Sequence, residues 1–343
     1  MSNHTSTSKP KVLVLGSPLD YVPQKYFDDF QQDYAIDVLH APDRASVKAQ
    51  LPTKVSQDGP FAALVIKMGT IPYEPFDADL LSALEPACKI VVSASAGYNE
   101  FDVDYFTRAG VWFCNAVHAV SEATADMALF LILATVRNTS VAERQAREGR
   151  WKAGLTPSGD PKGRVLGIVG LGSIGRYVAR KAAVFGMRVH YYNRRRLAPE
   201  VERELGVTYY GDLHELLGSA DVVSLHTPLN AQTTGLISRE EFAAMKDGAI
   251  LVNTARGAVV DEEALIQALE SGKVARAGLD VFPAEPKINE YFMKSDKVVL
   301  QPHMGGLTES SFALSQQECL ENLRAYFEKG VPNSPVNQPE RQH

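Results

Sequence analysis

Cysteine is scarce in this chain and never clustered. Of 343 residues only Cys88, Cys114 and Cys319 are cysteines, and no two lie close together. Without a C-x-x-C pair or a His/Cys group, the usual patterns of a structural metal centre are absent, and no metal is expected. Cys88 and Cys114 sit in or beside apolar, strand-like segments, where a buried reduced thiol is the ordinary outcome. Three thiols without a secretory signal fit a reducing compartment, and the cytoplasm is the expected location. Positive charge is not in excess either. Lys and Arg number 35 against 41 Asp and Glu, a formal net charge of −6, so no nucleic-acid surface is expected. The segment Met1 to Pro10 is polar, lacks both arginine and the apolar stretch of a signal peptide, and reads as disordered. The longest apolar helix candidate, Ala123 to Val136, contains Asp126 and reads as too short to cross a bilayer, so no membrane partner is expected. The ending Glu340-Arg341-Gln342-His343 is not a peroxisomal address.

What is present is the composition of a soluble globular protein, 45% hydrophobic and 22% charged, at a length that suits two domains. Lys11 to Gly16, Ala63 to Lys67, Lys89 to Ser95 and Val111 to Asn115 read as short buried strands separated by helical or irregular segments. Ser121 to Val136 reads as a long buried helix with Ser121 as its N-cap, and Ala142 to Lys162, with Trp151, as a polar loop or arm. The alternation then resumes. Strands are expected in the apolar run from Arg164 into the glycine motif and at Met187–Tyr192, Asp221–His226, Ala249–Thr254, Arg276–Phe282 and Lys297–Pro302. Helices are expected after Gly172, near Leu213–Leu217, after the capping box Ser238-x-x-Glu241, from Asp261 to Gly272, and from about Ser310 to Lys329. Parallel strands joined by helices make an α/β protein.

The most informative stretch runs from Arg164 to Gly175, where an apolar, β-branched run breaks into Gly170-Leu171-Gly172-Ser173-Ile174-Gly175. A G-x-G-x-x-G between a strand and a helix is a dinucleotide fingerprint. Gly170 allows the tight turn, Gly172 lets backbone approach a pyrophosphate, and Gly175 lets helix and strand pack closely. Three titratable or charged residues follow strands at the same sheet edge: Arg256, Glu285 and His303. Their chemistry suits a 2-oxo acid. Arginine can hold the carboxylate and polarise the carbonyl, histidine can deliver a proton near neutrality, and a carboxylate on the other imidazole nitrogen would orient the ring. His226 also ends a strand but receives no catalytic role. Its neighbours Thr227 and Pro228 read as packing on the adenine side of a nucleotide.

With Gly170–Gly175, Asn253-Thr254-Ala255-Arg256-Gly257, Gly278 to Pro286 and Pro302-His303-Met304-Gly305-Gly306 in this order, the chain resembles the D-2-hydroxyacid dehydrogenase family over nearly its whole length. Within the family it looks most like fungal glyoxylate/hydroxypyruvate reductases, with some similarity to D-mandelate dehydrogenase. The resemblance implies two doubly wound parallel-sheet domains. A Rossmann-type cofactor domain (118–308) would be inserted in a flavodoxin-like substrate domain (1–117 and 309–343), with no regulatory domain appended. It implies Arg256 on the substrate, His303 as acid/base, Glu285 as its partner and Asp280 near the nicotinamide carboxamide. Ala96, Gly97 and Tyr98 fall in the substrate loop, in an interdomain cleft, with pocket size set around Met68, Tyr98 and Met304. Cofactor contacts are expected from Gly170, Gly172, Ser173, Ile174, Gly175, Asn193, Arg194, Arg195, Thr227, Pro228, Thr254, Ala255, Arg256, Asp280, His303 and Gly305.

One position departs from the family's NAD-using members, which carry an aspartate at the end of the second nucleotide strand. Here the sequence is Tyr192-Asn193-Arg194-Arg195-Arg196. A carboxylate would repel a 2′-phosphate and arginine would bind one, so NADPH is expected over NADH. The expected reaction is reduction of glyoxylate or hydroxypyruvate, D-specific where the product is chiral, by a homodimer. The alternatives are a dehydrogenase of branched or aromatic D-2-hydroxy acids and, from another class, a dinucleotide-sensing corepressor-like binding protein.

Overall fold

Alternation of buried apolar runs with helical segments builds two parallel sheets in a computed structural model that describes residues 9–339. The expectations for Met1–Ser8 and Glu340–His343 lie outside the described residues. The chain begins with β1 (Lys11–Leu15), α1 (Gln24–Asp33), β2 (Ala35–Leu39), α2 (Arg44–Asp58), β3 (Ala63–Ile66), α3 (Ala78–Leu81), β4 (Ile90–Ser93), α4 (Val103–Arg108), β5 (Trp112–Asn115) and α5 (Val117–Val136). It continues with α6 (Thr139–Arg147), β6 (Val165–Val169), α7 (Ser173–Val184), β7 (Arg188–Tyr192), α8 (Pro199–Leu205), β8 (Val207–Tyr210) and α9 (Leu213–Ser219). Then come β9 (Val222–Leu225), α10 (Arg239–Ala244), β10 (Ala249–Asn253), α11 (Glu262–Ser271), β11 (Val274–Leu279), α12 (Glu290–Lys294), β12 (Val298–Leu300) and α13 (Glu309–Lys329).

Two compact units result: residues up to Val120 together with those from Thr308 onward, and Ser121–Leu307. In the first, the strand order is β2-β1-β3-β4-β5, all parallel, the flavodoxin-like order. Both faces of this sheet are covered, so β3 and β4 are buried along their whole length. The returning α13 closes one face, where Leu320 and Leu323 join Val12, Val14, Val65, Ile90 and Val92.

The second unit holds a seven-stranded parallel sheet in the order β12-β11-β10-β9-β6-β7-β8. The order reverses between β6 and β9, the switch point where open α/β sheets bind ligands beyond the carboxyl ends of their strands. α5 covers part of one face, with Ala125, Ala128, Leu131 and Ile132 packed among Leu166, Ile168 and Val252.

Several expectations need correction. α5 starts at Val117, so Ser121 is buried within the helix rather than capping it. Its 20 residues are long and apolar enough to cross a membrane, so length does not exclude a span; its buried apolar residues pack on the sheet of the second unit. Thr139–Arg147, most of it expected as loop, is a helix with no buried residue. β2, α8 and β8 were not foreseen. β2 and β8 are edge strands with mostly half-buried residues, which blurs the apolar pattern. β11 and β12 stop at Leu279 and Leu300, earlier than expected, so Glu285 lies in an irregular segment and not directly at a strand end.

Candidate active site

The glycine turn leaves β6 on the second unit's switch point, and two of its three glycines are required sterically. Gly170 has φ +99, and a Cβ there would lie 2.8 Å from the backbone carbonyl of His226. At Gly175 a Cβ would meet the Gly170 carbonyl oxygen at 2.5 Å, so only glycine lets α7 approach the end of β6. Gly172 is the N-cap of α7, and a Cβ there would meet nothing within 4 Å. Among the described residues no side chain caps this helix, whose first turn is Ser173-Ile174-Gly175, so its leading N–H groups remain for an anion.

The neighbouring strand ends carry the matching polar groups. Thr227 Oγ1 after β9 and Thr254 Oγ1 after β10 are buried without a hydrogen-bond partner among the described residues. Buried hydroxyls in that state point to an absent ligand or water. Helix N-terminus, open glycine and orphaned hydroxyls on one sheet edge fit a dinucleotide. Pro228 continues from Thr227, and Ala255 is pinned by its N–H to Asn253 Oδ1 at 3.0 Å. His226 is half-buried, with its ring turned inward. Burial pushes its imidazole down to about 4, Nε2 lies 2.9 Å from Ser224 Oγ, and Nδ1 has no partner among the described residues.

After β7, Asn193 Oδ1 accepts the N–H of Leu171 at 2.7 Å, tying this strand end to the glycine turn. Arg194 and Arg195 are exposed and form no ion pair among the described residues. Arg196 is bonded to Glu202.

Three loops of this unit bring the expected triad together. Asn253, buried at the end of β10, donates from Nδ2 to the Arg256 carbonyl at 2.9 Å. A Cβ on the next residue, Gly257, would stand 2.0 Å from the Phe282 carbonyl carbon, so the Arg256 loop lies hard against the segment that carries Glu285. Glu285 Oε1 accepts the Phe282 N–H at 2.8 Å, and Oε2 lies 2.8 Å from His303 Nδ1. Burial opposes ionisation of Glu285. The His303 hydrogen bond, the Phe282 amide and the charges of His303 and Arg256 outweigh it and hold the carboxyl below its ordinary value.

His303 has φ +57, a left-handed conformation uncommon for a side-chain-bearing residue. The conformation is held from below. Asp280 accepts the His303 N–H on its carbonyl (2.7 Å), the Met304 N–H on Oδ1 (2.6 Å) and the Gly305 N–H on Oδ2 (2.8 Å). Both Asp280 carboxylate oxygens are thus engaged by backbone, and burial raises its pKa despite these amides. With Nδ1 on Glu285, Nε2 is the nitrogen left for a substrate, and the His303 side chain is 44% exposed. Asn253 and Gly257, which shape this cluster, had no assigned role in the sequence. The signal was a polar residue ending a buried strand.

In the first unit, the expected substrate loop leaves β4. Ser93 Oγ accepts the Ser95 N–H at 3.2 Å, Asn115 Nδ2 donates to the Ala96 carbonyl at 2.6 Å, and the Ala116 N–H bonds the Ser95 carbonyl at 3.1 Å. Gly97 and Tyr98 follow on this pinned segment, and the Tyr98 ring meets Phe113 edge-on at 6.2 Å.

The sequence family described as D-isomer specific 2-hydroxyacid dehydrogenase, NAD binding domain, matches residues 129–305. A dehydrogenase, efuE, of Hormonema carpetanum is 56% identical over 337 residues, 98% of this chain and 84% of the relative. Among solved structures, a glyoxylate reductase from Paecilomyes thermophila superposes with TM-score 0.88 at 37% identity, covering 96% of this chain and 99% of that one. The holo D-mandelate dehydrogenase of Rhodotorula graminis gives TM-score 0.89 at 34% identity, covering 97% and 99%.

Proposed function

The chain belongs to the D-isomer specific 2-hydroxyacid dehydrogenase family, and from that premise we propose that it reduces a small 2-oxo acid, glyoxylate or hydroxypyruvate foremost, with NADPH. The observation that carries the reading is the Glu285–His303 pair beside Arg256, on the sheet edge that also bears the glycine turn. The bound dinucleotide supplies a hydride to the carbonyl carbon. Everything else falls to the chain. Gly170–Gly175 and the α7 N-terminus hold the pyrophosphate, and Thr227 and Thr254 offer hydroxyls to the cofactor. Arg256 holds the substrate carboxylate and polarises the carbonyl with its fork of donors. His303 Nε2 delivers the proton to the carbonyl oxygen as charge develops there. Glu285 fixes the ring through Nδ1 and stabilises the imidazolium before the proton leaves.

The NADPH preference rests on the end of β7. Asn193 is neutral and repels no phosphate, and Arg194 and Arg195 carry exposed guanidinium groups beside it. A homodimer is part of the same proposal. Phe130 on α5 is 48% exposed and Trp151 is 75% exposed, more large apolar surface than this unit covers by itself. Light scattering should return about twice 37.5 kDa; a mass of one chain at micromolar concentration refutes the dimer.

Initial rates with glyoxylate, hydroxypyruvate, 2-ketoisovalerate and phenylglyoxylate, each with NADPH and with NADH, test the function. Highest kcat/KM for the two small acids with NADPH supports it. Preference for phenylglyoxylate or 2-ketoisovalerate would select the second reading, a dehydrogenase of larger D-2-hydroxy acids, which the equal likeness to D-mandelate dehydrogenase favours.

A further inference from the structure

Three arginines follow β7 in a row, and they are not equivalent. Arg196 Nε donates to Glu202 Oε1 at 2.9 Å and its Nη2 to Oε2 at 2.8 Å, a fork on a carboxylate. Its guanidinium carbon lies 5.2 Å from the centroid of the Tyr209 ring. The Glu202 side chain is only 9% exposed, although α8, which carries it, runs along the surface. Glu202 Oε1 also accepts the Tyr191 hydroxyl at 2.6 Å, and that hydroxyl accepts the Leu197 N–H at 3.0 Å. Tyr191 is fully buried on β7. At the other end of the loop, Asn193 is held twice. Its Oδ1 takes the Leu171 N–H at 2.7 Å, and its carbonyl takes the Tyr209 hydroxyl at 3.4 Å.

Both ends of the Asn193–Leu197 loop are therefore bonded to the sheet and to α8, and the third arginine is committed to the bond. What remains between the anchors is Arg194-Arg195. We infer that Tyr191, Glu202 and Arg196 form a clamp that positions Arg194 and Arg195 for a ribose 2′-phosphate, and that Arg196 is not itself a phosphate ligand. The inference rests on the NADPH reading. Two physical points support it. A buried carboxylate near a phosphate site would repel the phosphate unless paired, and the Arg196 fork pairs it. Arg196 and Tyr191 hold the Glu202 carboxyl down at about 2, so the clamp stays ionised across the neutral range. A loop fixed before binding also loses less conformational entropy than a free arginine-rich loop, and that difference appears as affinity.

The test is calorimetric binding of 2′,5′-ADP and 5′-AMP to the full chain, with no turnover involved. In wild type, 2′,5′-ADP should bind more tightly. Tyr191→Phe removes the hydroxyl that ties Leu197 to Glu202 and changes no charge. Arg196→Lys keeps the charge and loses the fork. Each should weaken 2′,5′-ADP by about three- to tenfold, the scale of ordering one or two side chains, and leave 5′-AMP within about twofold. The salt dependence of 2′,5′-ADP binding should stay as in wild type for Tyr191→Phe and become shallower for Arg194→Ala, because only the second removes a contacting charge. A 2′,5′-ADP preference unchanged in both clamp variants overturns the clamp and leaves the NADPH reading intact. So does an equal loss for both nucleotides, which marks general damage. Arg196→Ala that matches Arg194→Ala in affinity and salt slope makes Arg196 a direct ligand and overturns its assigned role. No preference in wild type overturns the clamp and the NADPH reading together.

Discussion

His226 ties the cofactor edge to pH in a way that can be worked out in numbers. It follows β9 at the switch point, its carbonyl stands 2.8 Å from where a Gly170 Cβ would be, and burial alone lowers its imidazole from 6.5 to about 4. A base with a depressed folded pKa is protonated in the unfolded chain before it is protonated in the folded one. Stability is therefore complete above about pH 6.5 and falls as pH drops toward 4, where the folded histidine begins to charge as well. Each tenfold change in proton affinity corresponds to about 1.4 kcal/mol. The expected loss is about 2 kcal/mol between pH 7 and pH 5 and approaches about 3 kcal/mol below pH 4. Urea unfolding followed by fluorescence at pH 7 and pH 5 measures the difference. His226→Gln retains a group able to reach Ser224 and cannot titrate, so its loss over the same interval should be smaller by about 2 kcal/mol. Glu285 and Glu202, both held below their ordinary values, contribute at lower pH in both proteins and cancel in the comparison. Equal pH dependence in wild type and variant would refute the reasoning and mean that His226 is hydrated or paired in solution.

Other consequences follow from the same edge. His303→Ala should lower kcat by at least about two orders of magnitude with nucleotide binding retained, measured by steady-state rates and cofactor fluorescence titration; wild-type turnover would remove His303 from the mechanism. Arg256→Lys should raise KM for the 2-oxo acid and lower kcat although the charge survives, since an ammonium lacks the fork; an unchanged KM would make this arginine structural. Gly257→Ala, with its Cβ 2.0 Å from the Phe282 carbonyl carbon, must separate the Arg256 and Glu285 segments, so it should cost activity more than any other single methyl at this edge. Near-normal kcat/KM in that variant would show that the two segments need not touch.

How far the sequence reached follows from how local each requirement is. The glycine turn was readable because its demands, a positive φ at Gly170 and a close approach at Gly175, concern residues five positions apart. Strands buried on both faces, such as β3, β4, β6 and β10, announced themselves as apolar runs. β2, β8 and α8 did not, because an edge element shares its residues with solvent and mixes its pattern. Arg256 and His303 were found from their places after strands. Glu285 was found on the mistaken premise that β11 runs to Phe282. What carries Glu285 to His303 is the Phe282 amide and the contact with Gly257, and both are tertiary facts. Asn193 was expected on the cofactor; that its side-chain oxygen takes the Leu171 amide is a tertiary contact with no sign in the sequence. Glu202 gave no sign at all, since a glutamate in a short polar helix normally faces water.

The structure also shows a recurring device at these strand ends. Asn193 after β7 takes the Leu171 amide, Asn253 at the end of β10 takes the Ala255 amide, and Asp280 after β11 takes those of Met304 and Gly305. In the first unit, Ser93 ends β4 and takes the Ser95 amide, and Asn115 ends β5 and donates to the Ala96 carbonyl. Each polar side chain stands where a ladder stops and a loop amide or carbonyl would otherwise be buried unpaired, an omission that costs about 1–3 kcal/mol. The same bonds fix the loops that carry the residues proposed for the site: Arg194 after Asn193, Arg256 three residues past Asn253, His303 directly before the amides that Asp280 holds. A side chain that must act within a few tenths of an ångström cannot rest on a loop free to move. The polar residues ending the strands therefore serve stability and function through one set of hydrogen bonds. Removing one should displace the neighbouring catalytic or binding group before it unfolds the sheet, because the strands themselves remain covered on both faces.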